Sequence, residues 1–520
     1  MRGFCLWSVV ALAALPGARA GDFPQWRGPL RNGVVADSPP LAATWPKDGP
    51  KELWRSERVL KGGFGSLAVA SGRVYAYVNE GYKVPLAGRT LSESGLRGLG
   101  WSSKKPPEAL SKAIEAARLS EERTKIERKK RDEWIKKWVA ENVTEENKKF
   151  RHYARDRLDR GAKAIPLAVF AKLETIQDKE FAGPEALEKW LAEAGIDGEV
   201  KKSVLRAFPT HLKKAWDRLW CFDAADGKTV WGVKHDAKPS SSASSTPCVA
   251  DGRCYVAGTD GMIYCHDAAD GRELWKAKAP EGGGTIHSSV LVADGAAVVL
   301  AGRLTAFDAE KGTVRWQQKK VRGSNNSPVA WRSGGKTYVL CNTGGELACV
   351  DLADGGIAWQ VPGGSLSTAA VDGAHMAVFT RRKKLGLALY KIAPDRAELL
   401  WSLPQIDKGE TSPLIYKGHV YAFCHKLAVC AELATGKVVW EQKTASGGCS
   451  SPVAVDGRIV AFTGRKVQWI RATPAGFELL AAARLPIAEH SSPAVSGGRL
   501  YLRLRDSVGC YDLRPAGPDR

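Results

Sequence analysis

The chain has 520 residues, 44% hydrophobic and 26% charged, and its 77 Lys and Arg against 56 Asp and Glu leave a formal charge of +21. That excess favours an acidic partner, an anionic glycan, a lipid head group or a protein, and nothing accompanies it that points to specific nucleic-acid recognition. Beyond residue 20 no stretch offers the ~20 apolar residues of a membrane-spanning helix, and the eleven cysteines include no Cys-x-x-Cys-His, so covalent c-type haem is not indicated.

Taken in chain order, Met1–Ala20 reads as a cleavable secretory signal: Arg2, an apolar run from Phe4 to Leu15, then Ala18-Arg19-Ala20 as a small-residue cleavage site. No cysteine follows that site, so a lipoprotein anchor is not expected, and the mature chain is expected to be periplasmic or secreted. Residues 21–49 form a lead-in that contains Phe23-Pro24-Gln25-Trp26-Arg27-Gly28-Pro29. Residues 50–80 then hold an outer-strand motif, Lys51-Glu52-Leu53-Trp54-Arg55, and the first half of a repeat unit.

About 140 residues that break the repeat follow, far more than a hairpin loop carries. We read 81–217 as a helical insertion. Pro107 to Val143 places Leu110, Ile114, Ala117, Ile126, Trp134 and Trp138 at a broken helical spacing. Gly183-Pro184-Glu185 opens a second helix that closes at Gly195. Val200 to Ala215 is a third, interrupted near Pro209. The charged run Glu121–Arg131 is a solvated helix face or a docking surface.

From residue 218 to 515 one pattern returns. Phe222-Asp223-Ala-Ala-Asp226-Gly227-Lys228-Thr-Val-Trp231 is repeated by segments ending at Trp275, Trp316 and Trp359, and more weakly at Trp401 and Trp440. The interval is ~40 residues, the period of one four-stranded propeller blade. Each unit starts at a Ser or Thr, alternates apolar runs with tight turns such as Asp456-Gly457, and ends on the Trp strand. The starts are Ser66, Thr246, Ser289, Ser327, Ser367, Ser412, Ser451 and Ser492, which makes eight blades. The last lacks a Trp strand, and Leu53–Arg55 supplies it, so strands from both ends of the chain close the ring and leave no open edge. The expected fold is therefore all-β, an eight-bladed β-propeller with tryptophan-docking repeats and an α-helical insertion in the first blade, followed by a tail at 516–520.

Cys221, Cys265, Cys349, Cys430 and Cys510 occupy one equivalent position in five repeats, so they are expected reduced, buried and too far apart to pair. Cys248 and Cys254 flank one hairpin turn and are the one pair that could join.

Hairpins between second and third strands return to the face on which the inner strands start. That places cationic turns on one rim: Arg303, Arg381-Arg382-Lys383-Lys384, His425-Lys426, Arg465-Lys466, and Arg503 with Arg505. The helical insertion occupies a hairpin of the same level. Two residues before each start lie Phe64, Ser244, His287, Asn325, Ser365, Glu410, Cys449 and His490, around a channel mouth. Two readings of this layer stand. Small polar starts let inner strands crowd around an axis, or His287, Asn325, Glu410 and His490 form a polar ligand pocket. Zinc is not expected there, because its bonds of ~2.0 Å would have to come from opposite sides of a ring.

The Ala-x-Asp-x-x-x-Gly-Lys-x-x-Trp repeat, over about three quarters of the chain by this reading, resembles the pyrroloquinoline-quinone (PQQ)-type propeller. Quinoprotein alcohol dehydrogenases and a non-catalytic outer-membrane-assembly lipoprotein share it. The lead-in around Trp26 also looks like the start of secreted bacterial members. The dehydrogenases hold PQQ at the channel mouth under a Cys-Cys disulfide and over a Trp floor, beside a calcium bound by Glu, Asn and Asp, with an Asp base. Here there is no Cys-Cys pair, no Trp falls on an inner-strand start, and no Asp occupies the mouth layer, although Glu410 and Asn325 could imitate calcium ligands. The resemblance thus implies an exported, non-enzymatic binding or scaffold protein with no catalytic residue, serving an anionic envelope ligand or a protein partner. The alternative is a divergent PQQ- and calcium-dependent dehydrogenase of alcohols or sugars.

Overall fold

The computed structural model describes residues 21–239, 241–282, 284–406, 411–424, 426–445, 448 and 450–515. The chain divides into two units, Met1–Gly81 with Lys214–Arg520, and Tyr82–Lys213.

In the first unit the described residues form eight sheets, six of four strands, one of three, and one to which the lead-in adds a fifth. Consecutive strands pair antiparallel, and this is a β-propeller. The reason is local. Val455 pairs with Arg458 around Asp456 and Gly457, whose φ of 44° and 72° are the left-handed pair that a type I′ turn needs. Glu52–Arg55 pairs antiparallel with Val508–Asp512, so residues from the two ends of the unit share one sheet.

The outer-strand tryptophans join neighbouring sheets. The indole N–H of Trp54 donates to the Ala224 carbonyl at 3.0 Å, Trp275 to Ala309 at 3.1 Å, Trp316 to Leu352 at 2.8 Å and Trp440 to Thr473 at 2.9 Å. Trp231, Trp359 and Trp401 do the same. The glycine of each Asp-x-x-x-Gly lies under the incoming ring: a Cβ on Gly312 would sit 2.6 Å from the Trp275 indole. That glycine therefore serves the turn and the docking at once.

The Ser/Thr starts form a relay. The N–H of Ser66 donates to the Thr246 hydroxyl, Thr246 to Ser289, Ser289 to Ser327, Thr368 to Ser412, Ser412 to Ser451, Ser451 to Ser492, and Ser492 back to Ser66. The fifth start is thus Thr368, one residue later than the Ser367 expected from sequence. Asp372 pairs with His375, so the turn residues there are Gly373 and Ala374, one residue later than an Asp-Gly turn like Asp456-Gly457 would place them, and counting back from this turn gives Thr368.

Other expectations also change. Cys248 and Cys254 are both free and buried. Cys248 faces Tyr255 across the hairpin and Cys254 faces Val249, so their side chains leave opposite faces of the sheet and enter different cores. Arg303 lies within one continuous strand, Ala296–Asp308, bent at Gly302 with φ 77°.

In the second unit short helices surround two apolar cores, around Leu91–Phe208 and Leu110–Leu158. The helical run from Pro107 breaks where the Ser120 hydroxyl caps a new helix by accepting the Arg123 N–H. The third expected helix spans Gly198–Ala207 and stops before Pro209, and a strand already starts at His211.

Candidate binding surface at the channel mouth

The lead-in, which the repeat reading leaves without a role, touches all eight sheets. Phe23 bridges to Val69, Pro24 accepts the Val249 N–H, Gly33 accepts the Ala454 N–H, and Gly21 accepts the Ser496 hydroxyl. The Arg31 guanidinium donates to the carbonyls of Ser289, Val290 and Pro328, and to Gln25 Oε1 at 2.7 Å. Arg27 donates to the Pro413 and Asn32 carbonyls, and the Trp26 indole reaches the Thr368 hydroxyl. Residues 21–33 are therefore a hub fixed to every sheet. Its cations are costly: both guanidinium groups are 1% exposed, and burial pushes Arg27 down to about 9 and Arg31 to about 10. Each side-chain nitrogen of Arg31 has a partner, whereas Arg27 Nε and Nη1 lack partners.

Trp26 also lines a cavity of about 350 Å³, together with Phe64, His287, Asn325, Leu366 and His490. The mouth residue of the fifth repeat is Leu366, not the expected Ser365, which follows from the Thr368 start. The relay residues Ser289, Ser327, Ser412 and Ser451 line it too. Each accepts a backbone N–H from the preceding relay member, which leaves its O–H proton to be donated elsewhere. His287 Nδ1 is 3.1 Å from the Ser244 hydroxyl, and burial pushes this imidazole down, so it is neutral near pH 7. The His490 ring meets Phe64 edge-on, centroids 4.8 Å apart. Glu410 lies outside the described residues. Of the four pocket residues expected from sequence, His287, Asn325 and His490 thus line one cavity.

The cationic turns separate into two kinds. Arg381, Arg382, Lys383, Lys384, Lys426, Arg465, Lys466 and Arg505 are exposed. The Arg381 N–H donates to the Gly363 carbonyl and Arg505 to Pro486, which ties these turns to segments entering the mouth. Arg303 is neutralised by Glu281 at 2.8 Å. Arg503 is no rim charge: it is 2% exposed and donates to the carbonyls of Gly65 and Gly62. Burial lowers it to about 10. A central propeller strand has a core on either face, so neither alternate side of it is a solvent side. His425 lies outside the described residues.

Trp26 offers this cavity an aromatic plane, and among its described lining residues there is no Arg or Lys to meet the carboxylates of PQQ and no Asp or Glu to hold a divalent cation. Glu410, the acidic candidate of this layer, lies outside the described residues. Among the described residues no group of three or more His, Cys, Asp and Glu could hold a metal.

The sequence family described as outer membrane protein assembly factor BamB matches residues 217–362 and 301–514, together 217–514 and more than half of the 520 residues. No curated protein matches the chain. Among solved structures, BamB from Moraxella catarrhalis is similar at 16% identity over 58% of this chain and 90% of its own, with a TM-score of 0.46. The quinohemoprotein alcohol dehydrogenase of Comamonas testosteroni is 12% identical over 59% of this chain and 74% of its own, TM-score 0.42. A europium-containing methanol dehydrogenase is 13% identical over 56% and 80%, TM-score 0.42.

Proposed function

We propose, since the chain belongs to the family of the outer membrane protein assembly factor BamB, that it is a non-enzymatic scaffold of the cell envelope. In this reading the sheets are the blades of an eight-bladed propeller, export is directed by residues 1–20, and the working surface is the face of the channel mouth. Its ligand is an anionic envelope component or an acidic protein partner. The observation that carries the reading is the set of exposed cations Arg381, Arg382, Lys383, Lys384, Arg465 and Arg505, none of which has an ion pair among the described residues. Unpaired surface cations raise the local potential and attract anionic partners.

The test is retention on an immobilised anionic glycan and co-sedimentation with anionic vesicles, read as the salt concentration that releases the protein. Replacing Arg381, Arg382, Lys383 and Lys384 by Gln should lower that concentration, because exposed charges act within about 8–10 Å at ordinary ionic strength. Folding should change by less than ~0.5 kcal/mol. Unchanged release on both supports would put the working surface elsewhere.

A further inference from the structure

Beside the mouth cavity, and sharing His490 with it, runs a larger groove of about 900 Å³. It lies between the sheet of Val453–Ala483 and the sheet of Ala494–Asp512. Its floor is built by the link between these sheets, residues 484–490, which is held by the Ala488 N–H on the Arg503 carbonyl at 2.9 Å and by the Arg505 N–H on the Pro486 carbonyl at 3.0 Å.

Three arginines line this groove: Arg465 from one turn, Arg505 from the next sheet's equivalent turn, and Arg484 from the link. All three are exposed, and none has an ion pair or side-chain hydrogen bond among the described residues. The half-buried apolar residues Leu485 and Ile487, and Glu489, line the same groove. Most other arginines on this unit are engaged: Arg303 with Glu281, Arg458 with Asp456 and Arg471 with Glu478. Three open guanidinium forks facing one groove are therefore a local exception.

We propose that this groove takes an extended acidic peptide segment of a protein partner, its carboxylates on Arg465, Arg484 and Arg505 and its apolar side chains on Leu485 and Ile487. The inference rests on the scaffold reading and deepens it. Guanidinium groups bind carboxylates in a planar two-pronged fashion that a single ammonium does not reproduce. The apolar floor suits side chains of an extended chain, which alternate in direction. Glu489 disfavours a uniformly anionic polymer such as a polyphosphate or sulfated glycan, because each added negative charge would have to pass it.

The experiment is fluorescence anisotropy on the full exported chain, with a blocked, labelled octapeptide of alternating Glu and Val as the probe. A peptide with Lys in place of Glu, polyphosphate, and phosphatidylglycerol vesicles are the competitors. The acidic peptide should bind, the basic one should not, and polyphosphate and vesicles should compete poorly. An R484A/R505A variant should bind the probe at least about tenfold more weakly, the loss expected when paired charges are removed, with an unchanged circular dichroism spectrum. R484K/R505K should recover only part of the affinity, since the charge returns without the fork. If the substitution of Arg381 to Lys384 weakens the probe and R484A/R505A does not, the groove is wrong and the cationic-face reading stands. If neither variant weakens it, both fail. Displacement by polyphosphate as effective as by the unlabelled peptide would also overturn the peptide assignment.

Discussion

The indole N–H of Trp26 reaches the Thr368 hydroxyl at 3.3 Å across 342 residues of sequence. This bond joins the lead-in to the fifth sheet and places an aromatic side chain in the channel-mouth cavity. The segment around it holds seven further sheets by other bonds, so the lead-in is part of the fold rather than an appendage to it.

The two buried arginines of this hub should differ in value. Arg31→Met would leave the carbonyls of Ser289, Val290 and Pro328 and Gln25 Oε1 without their donor. A loss of roughly 3–5 kcal/mol is expected when a buried charged partner is withdrawn from its hydrogen bonds. Arg27→Met strips only the Pro413 and Asn32 carbonyls of their donor and removes a buried charge whose Nε and Nη1 are already unsatisfied, so a smaller loss of about 1–2 kcal/mol is expected. Urea unfolding of both variants checks the contrast. Equal losses would mean that the hub is held by packing and not by its hydrogen bonds.

Glycines under the docking tryptophans offer a second contrast. In Gly312→Ala the new Cβ falls 2.6 Å from the Trp275 ring at a φ of +72°. Gly252 has nearly the same φ, +71°, with nothing within 4 Å. Gly252→Ala should lose only the left-handed preference, about 1–2 kcal/mol. Gly312→Ala should lose that and also displace an indole that is 9% exposed or less, for a total of roughly 3–5 kcal/mol. Thermal unfolding of the two variants side by side reads the difference, and matching midpoints would remove Trp docking as the reason for this glycine.

Legibility in the sequence followed the range of the cause. The Trp strands, the glycines before them and most hairpin turns are set by neighbours within a dozen residues and recur, so the repeat announced them. Thr368 was missed because Ser367-Thr368 and Asp372-Gly373-Ala374 each permit two registers, and only strand pairing chooses between them. The hub was missed because its contacts have no period: Arg31 is anchored 258 and 297 residues away. Arg503 was misassigned because Leu500, Tyr501, Leu502 and Leu504 are all buried, so alternation gives no outward side on a strand with cores on both faces. Arg484 escaped notice because the irregular link that carries it matches no repeat position.

Arg503 and Arg505 should consequently separate folding from surface charge. Arg503→Ala strips the Gly65 and Gly62 carbonyls of their donor and leaves a buried gap, so roughly 2–4 kcal/mol of stability should be lost. Arg505→Ala should cost less than ~0.5 kcal/mol, as exposed substitutions usually do. Denaturant midpoints decide, and an Arg503→Ala protein as stable as the Arg505→Ala protein would restore Arg503 to the surface.

The histidine pair formed by His235 on an outer strand and His266 on the third strand of the next sheet should make stability depend on pH. His235 Nε2 lies 3.1 Å from His266 Nε2, and His266 Nδ1 is 2.9 Å from the Gly271 carbonyl. With His266 donating through Nδ1, its Nε2 can only accept, so the pair needs a proton on His235 Nε2 and none on His266 Nε2. The His235 ring stacks on Tyr264 at 3.7 Å. Burial, then His266 and Lys276, push His235 down to about 3, and burial also lowers His266. A histidine depressed in the folded state takes up its proton more readily when unfolded. Its contribution is therefore fully present above about pH 6.5, the ordinary histidine value, and is lost as pH falls toward about 3. Between these limits the slope approaches ~1.4 kcal/mol per pH unit for one group. Unfolding free energies of the natural protein and of His235→Phe, measured from neutral pH down to about pH 4, should converge as pH falls, because Phe keeps the stacking and removes the titration. Parallel curves through that window would show that His235 is charged and solvated in the folded protein.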